Sequence, residues 1–125
     1  MRSLPRISEA EWLVMEVLWS KGPMTANGVV EELTRKTKWH PKTIKTLIHR
    51  LLKKKTIGFE KEGREYRYYP AVKQAECVRR ERRSFVRRVY GGAMKPMLAE
   101  FLKDADLSVD DVADLKRILD QKGKK

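Results

Sequence analysis

Between Trp39 and Lys55, the residues Lys42, Thr43, Lys45, Thr46, His49, Arg50 and Lys53 share one side of an amphipathic pattern. Lysine and arginine give positive donors to phosphate oxygens, and threonine, lysine and arginine suit base edges in a major groove. The chemistry on offer is recognition of a polyanion, not bond making. Ile44, Leu47, Ile48, Leu51 and Leu52 recur at i, i+3, i+4, i+7 and i+8 on the other side, an apolar stripe for packing. Pro41 marks the helix start, because its missing N–H would go unpaired in a first turn anyway. Trp39, just ahead, can staple onto Ile44, a structural role beside any contact with nucleic acid. Alone, the pattern also fits a solvated surface helix, and the rest of the chain must decide.

Catalytic groups are poorly represented. The chain has no Gly-rich phosphate loop, no Gly-x-Ser-x-Gly and no paired carboxylates within an apolar stretch. His40 and His49 would lie about 13 Å apart along a helix, too far to share one ion. Cys77 has arginines nearby that could lower its pKa but no identifiable base, so a buried or idle thiol is the simpler reading. Without a Cys or His cluster, no metal and no cofactor is expected. An enzyme is the least supported class.

The 125 residues and 14.7 kDa suit one domain, or a small domain with an appendage. A net charge of +12 and a pI near 10.0 point to nucleic acid or an acidic membrane surface as partner. The charge is uneven: residues 1–70 hold 15 Lys/Arg against 8 Asp/Glu, residues 71–90 hold 7 against 2, and residues 91–125 hold 7 against 7. The last third is therefore not expected to face a polyanion. No apolar run is long enough to span a membrane, there is no signal-peptide core, and a lone cysteine suits a reducing cytoplasm.

Ser8-Glu9-Ala10-Glu11 reads as a capping box, with Ile7 and Trp12 placed as a hydrophobic staple. The helix behind it, to about Trp19, is apolar on most sides and belongs inside; Lys21-Gly22-Pro23 ends it. Thr25 can cap a second helix that turns Ala26, Val29, Val30 and Leu33 to one side. After the Pro41 helix, Ile57–Lys61 and Glu65–Pro70 alternate as strands around a Glu62-Gly63-Arg64 turn. That hairpin must lean on the helices, being marginal alone. Three helices then a hairpin describe a winged helix-turn-helix, with the third helix in the major groove and the basic turn Arg64 along the backbone.

A long, very basic helix is expected from Ala71 to about Tyr90, broken by Gly91-Gly92. Its arginines fit a solvated connector or one that also touches phosphates. Val89, Met97, Leu98, Phe101 and Leu102, and then Val112, Leu115, Ile118 and Leu119, mark apolar faces with little else in the chain to cover them. Leu107-Ser108 opens the last helix, with Ser108 as N-cap and Asp110 and Asp111 near its positive end. A second copy is the simplest partner, giving a two-fold homodimer. The expected class is mostly α (α+β), with a DNA-binding domain over 1–72 and a helical dimerisation region over 73–125.

Certain segments match a known family. They are Ile7-Ser8-Glu9-Ala10-Glu11-Trp12, Trp39-His40-Pro41-Lys42-Thr43-Ile44-Lys45-Thr46-Leu47, the Tyr68-Tyr69 pair, Phe85–Gly92, and Asp106-Leu107-Ser108 before Leu115 and Ile118-Leu119. Over nearly its whole length the chain resembles the penicillinase and methicillin-resistance repressors, the BlaI/MecI family of winged-helix regulators. The resemblance implies a homodimeric repressor on a two-fold operator, controlling an antibiotic-resistance gene, with DNA contacts at Lys42, Thr43, Lys45, Thr46 and Arg50. It also implies a membrane sensor with a cytosolic metalloprotease part, acting without membrane insertion of the repressor itself. Family members are cut at an Asn–Phe bond; the corresponding bond here is Glu100–Phe101, so the chain departs from the pattern at the Asn. The cysteine-rich tail of copper-responsive relatives is absent. Beside a specific repressor stand a less specific architectural DNA-binding protein and, disfavoured by the charge, a winged-helix module that binds only proteins.

Overall fold

In the computed structural model, which describes residues 4–124, Ser8 Oγ accepts from the Glu11 N–H at 3.2 Å and Glu11 Oε1 accepts from the Ser8 N–H at 2.9 Å. This capping box starts α1 (Glu9–Lys21). Val14, Met15, Val17 and Leu18 of α1 are buried, and Trp12 and Trp19 meet edge to face at 5.4 Å. The near-continuous apolar surface thus places α1 at the centre of the core, with Ile7, Val29, Leu33, Ile44, Leu47, Ile48, Leu51 and Ile57 around it. Thr25 caps α2 (Ala26–Lys36) by accepting from the Gly28 N–H at 3.1 Å. The third helix, α3, runs Pro41–Lys53.

Three antiparallel strands complete this first unit in the order β1–β3–β2: β1 is Met24–Thr25, β2 Ile57–Glu62 and β3 Glu65–Pro70. Met24 pairs with Tyr68 and Thr25 with Arg67. Thr25 therefore ends a strand and caps a helix at once, and β1 anchors the hairpin to the body. In β2, Gly58 lies opposite Tyr69, and a Cβ there would come within 2.6 Å of the tyrosine ring. The ring takes the space that any larger residue would need.

The basic helix does not begin at Ala71, as its composition suggested. Residues 71–73 are a tether: the Ala71 N–H donates to the Thr56 carbonyl at 2.8 Å, and Trp19 Nε1 donates to the Val72 carbonyl at 3.0 Å. Helix α4 is Gln74–Tyr90. Compact units divide within it, as Met1–Arg79 and Arg80–Lys125, and Cys77 of its second turn is buried in the first unit's core.

The second unit holds the rest of α4, then α5 (Met94–Asp104) and α6 (Val109–Gly123). Gly91 and Gly92 adopt φ of +59° and +90°, which side chains with a Cβ rarely reach, and this ends α4. Phe85 stacks on Phe101 at 6.1 Å and meets Tyr90 at 6.0 Å, while Tyr90 Oη donates to Glu100 Oε2 at 3.0 Å. Ser108 caps α6, and Asp111 reciprocates as its capping-box partner.

Candidate nucleic-acid interface

Helix α3 is positioned by burial on one side. Ile44, Leu47, Ile48 and Leu51 are all under 5% exposed, and Leu52 is half-buried beside them. That fixes the rotation of the helix, so Lys42, Thr43, Lys45, Thr46, His49, Arg50 and Lys53 all stand exposed. Lys42, Lys45, Thr46 and His49 frame one open depression on this face. The start of α3 is set by His40, whose Nδ1 accepts from the Lys42 N–H at 3.3 Å with Pro41 behind it. Trp39 is half-buried against the core, which fits its staple position ahead of Ile44.

Thr46 Oγ1 donates to the Lys42 carbonyl at 3.0 Å. Its hydroxyl proton is spent inside the helix, which leaves oxygen lone pairs and a methyl group facing outward. Such a group can accept from an adenine or cytosine amino group, or pack on a thymine methyl.

A second depression brings the wing to α3. Lys45 shares it with Arg64, Glu65, Tyr66 and Tyr68 of the hairpin, and with Thr25, Ala26 and Asn27 at the start of α2; Glu65 is its one acidic member. Arg64 and Lys45 thus face one concavity, and the α2 residues beside them escaped the sequence reading. Phe59 packs on Tyr66 at 5.2 Å, and the Lys61 ammonium lies 5.9 Å from the Tyr66 ring centre. These contacts stiffen an exposed hairpin.

Lys54 differs from its neighbours in the Lys53-Lys54-Lys55 run. Its Nζ donates to Glu11 Oε1 at 2.6 Å and to the Arg6 carbonyl at 2.7 Å. The run is therefore not one basic patch, since its middle member ties the end of α3 to the start of α1. Burial pushes the Glu11 carboxyl pKa up, but hydrogen bonds from Lys54 and Ser8 outweigh it and hold the pKa below the usual value. A salt bridge of 2.8 Å from Lys21 to Glu32 ties α1 to α2 in the same way.

The other anticipated residues all lie in the second unit. Val89, Leu98, Phe101, Leu102, Val112, Ile118 and Leu119 are exposed, Ile118 and Leu119 at 55% and 58%, while Met97 and Leu115 are partly covered. Glu100 and Phe101 sit inside α5. Among the described residues, no group of three or more His, Cys, Asp or Glu could hold a metal ion. None of their helices is long and apolar enough to cross a membrane.

Three helices, a short anchoring strand and a hairpin wing beside a basic, exposed α3 define a winged helix-turn-helix. The chain belongs to the penicillinase repressor family, whose model matches residues 7–121. It is 36% identical to the penicillinase repressor of Bacillus licheniformis over 121 residues, 97% of this chain and 94% of that one. It is 37% identical to the methicillin resistance regulatory protein MecI of Mammaliicoccus sciuri over 116 residues, 93% of this chain and 94% of that one. A solution structure of the DNA-binding domain of the repressor BlaI is 39% identical, with a TM-score of 0.54, covering 61% of this chain and 93% of that domain. The same values hold for the Bacillus licheniformis BlaI monomeric form in complex with the blaP half-operator.

Proposed function

We propose that this chain is a sequence-specific DNA-binding repressor that acts as a homodimer on a two-fold operator and works by occupancy, not catalysis. The observation that carries the reading is the α3 face: seven polar or basic side chains exposed above a buried stripe, in a family whose member BlaI binds a half-operator. Thr43, Thr46 and Arg50 are the readers of base edges. Lys42, Lys45, His49, Lys53 and Arg64 hold phosphates, and Trp39 sets the start of the reading helix. Thr25 and Asn27 join the phosphate set through the depression they share with Lys45 and Arg64.

The uncovered apolar side chains of α5 and α6, with Val89, form the interface with a second copy. The protein works in the cytoplasm and governs an antibiotic-resistance gene of the kind that its relatives' names record. Release follows scission of the second unit near Glu100–Phe101 by a sensor-linked metalloprotease, with Glu100 in the place of Asn.

Selection of a binding site from random duplexes, followed by competition with bulk DNA, tests the reading. A specific repressor prefers its site by about 10³-fold or more. Much weaker preference would leave an architectural DNA-binding protein, which uses charge alone.

A further inference from the structure

The net positive charge of the second unit comes from one place. Beyond Gly91 the chain carries 7 Lys/Arg against 7 Asp/Glu, so the unit's excess comes from α4. There Arg82, Arg83, Arg87 and Arg88 are all exposed. None of the four is in an ion pair among the described residues. Arg87 and Arg88 lie in the last turn, where the helix dipole favours cations. Arg82 and Arg83 lie mid-helix and gain nothing from it. Arg83 and Arg87 are also like charges at i, i+4, a mildly destabilising pair.

We propose that this part of α4 is a second nucleic-acid surface, blind to sequence, on which Arg83 and Arg87 bind backbone phosphates with Arg82 and Arg88 at its flanks. Four residues of helix advance about 6 Å, close to the roughly 6.8 Å that two nucleotide steps of one strand, from one phosphate to the next but one, advance along the duplex axis. Every basic residue of α4 is arginine, whose planar fork engages phosphate through two parallel hydrogen bonds where lysine offers a point charge. An external anion would offset the repulsion that the helix leaves uncompensated. The inference rests on the DNA-binding reading but adds a contact independent of α3.

The test is binding of the full chain, across a salt series, to a random-sequence duplex of about 30 base pairs, roughly three helical turns. Arg83→Gln/Arg87→Gln is expected to flatten the slope of log K against log salt by about two units and to weaken binding roughly 30-fold near physiological salt. Preference for the selected operator over random DNA should stay unchanged, whereas Thr46→Ala lowers it. Arg83→Lys/Arg87→Lys should restore most of the slope. An unchanged slope in the Gln double variant, with wild-type binding intact, overturns this surface and spares the α3 reading. Failure of the wild-type chain to bind any duplex overturns both. Two other results also overturn it: a Gln double variant that sediments as a monomer, whose arginines would serve the partner copy, or one that loses only adsorption to phosphatidylserine vesicles.

Discussion

Thr46 and Lys42 stand one turn apart and are joined by a hydrogen bond, yet their loss should read differently. Thr46→Ala removes the outward oxygen and methyl, so it should cost about 1–3 kcal/mol on the preferred site and little on random DNA. Lys42→Ala should weaken every sequence and flatten the salt slope by about one unit. Binding isotherms on both duplexes at several salt concentrations separate the two; equal losses from Thr46→Ala would remove it from the readers. Glu11 is the second informative residue, since its side chain is 2% exposed while that of its partner Lys54 is 34% exposed. Its folded pKa is lowered, so its contribution to stability is fully present above the unfolded value of 4.5 and lost as pH falls through the folded one. Glu11→Gln keeps an acceptor for the Ser8 N–H but drops the charge. Allowing for water around Lys54, it should cost about 1–2 kcal/mol at pH 7. It should also flatten the acid limb of a denaturation series run across pH 3–6.

At the scale of elements, what the sequence made legible was whatever repeats or caps. The buried stripe of α3, the Ser8 and Ser108 capping boxes, Thr25 as N-cap and the alternation on either side of Gly63 all sit where spacing placed them. What escaped has no period to detect. Strand β1 is two residues long, too short to alternate, and its pairing with Tyr68 and Arg67 spans more than forty positions. Residues 71–73 have the composition of the helix behind them and are held out of it by Thr56 and Trp19, partners distant in sequence. The role of Lys54 was hidden for the same reason, because a run of three lysines looks uniform until one of them finds a buried carboxylate. The polar face of the candidate site was therefore readable from α3 alone. Its boundary with α2 and the wing depended on the sheet.

For the molecule as a whole, the first unit is closed by its own core, while no residue of α5 or α6 is buried. If a second copy covers those helices, Leu115→Lys would set an unpaired charge into an apolar contact, a cost of several kcal/mol. Sedimentation should then give a monomer, circular dichroism should keep its helical signal, and operator affinity should fall by roughly 10²-fold or more as two weak half-site contacts come apart. An intact dimer would refute the interface.

The Glu100–Phe101 bond lies within a continuous α5, where the Ala105 N–H still donates to the Phe101 carbonyl at 2.9 Å and Tyr90 holds the Glu100 carboxylate. Phe101 is 49% exposed, but an exposed side chain on a helical backbone is not an extended substrate. A protease that reads extended chain must wait for this stretch to unwind, so its rate follows the open fraction of α5 while opening and closing outrun the cut. Ala99→Gly, at an exposed position that leaves both flanking residues intact, should favour unwinding by about 0.9 kcal/mol. Scission after Glu100 by a glutamate-specific endopeptidase should then run about fivefold faster; an unchanged rate would mean that the helix is no gate. If a cut at this bond ends repression, the lifetime of the uncut protein follows from helix fraying, and it can be tuned without altering either residue of the bond.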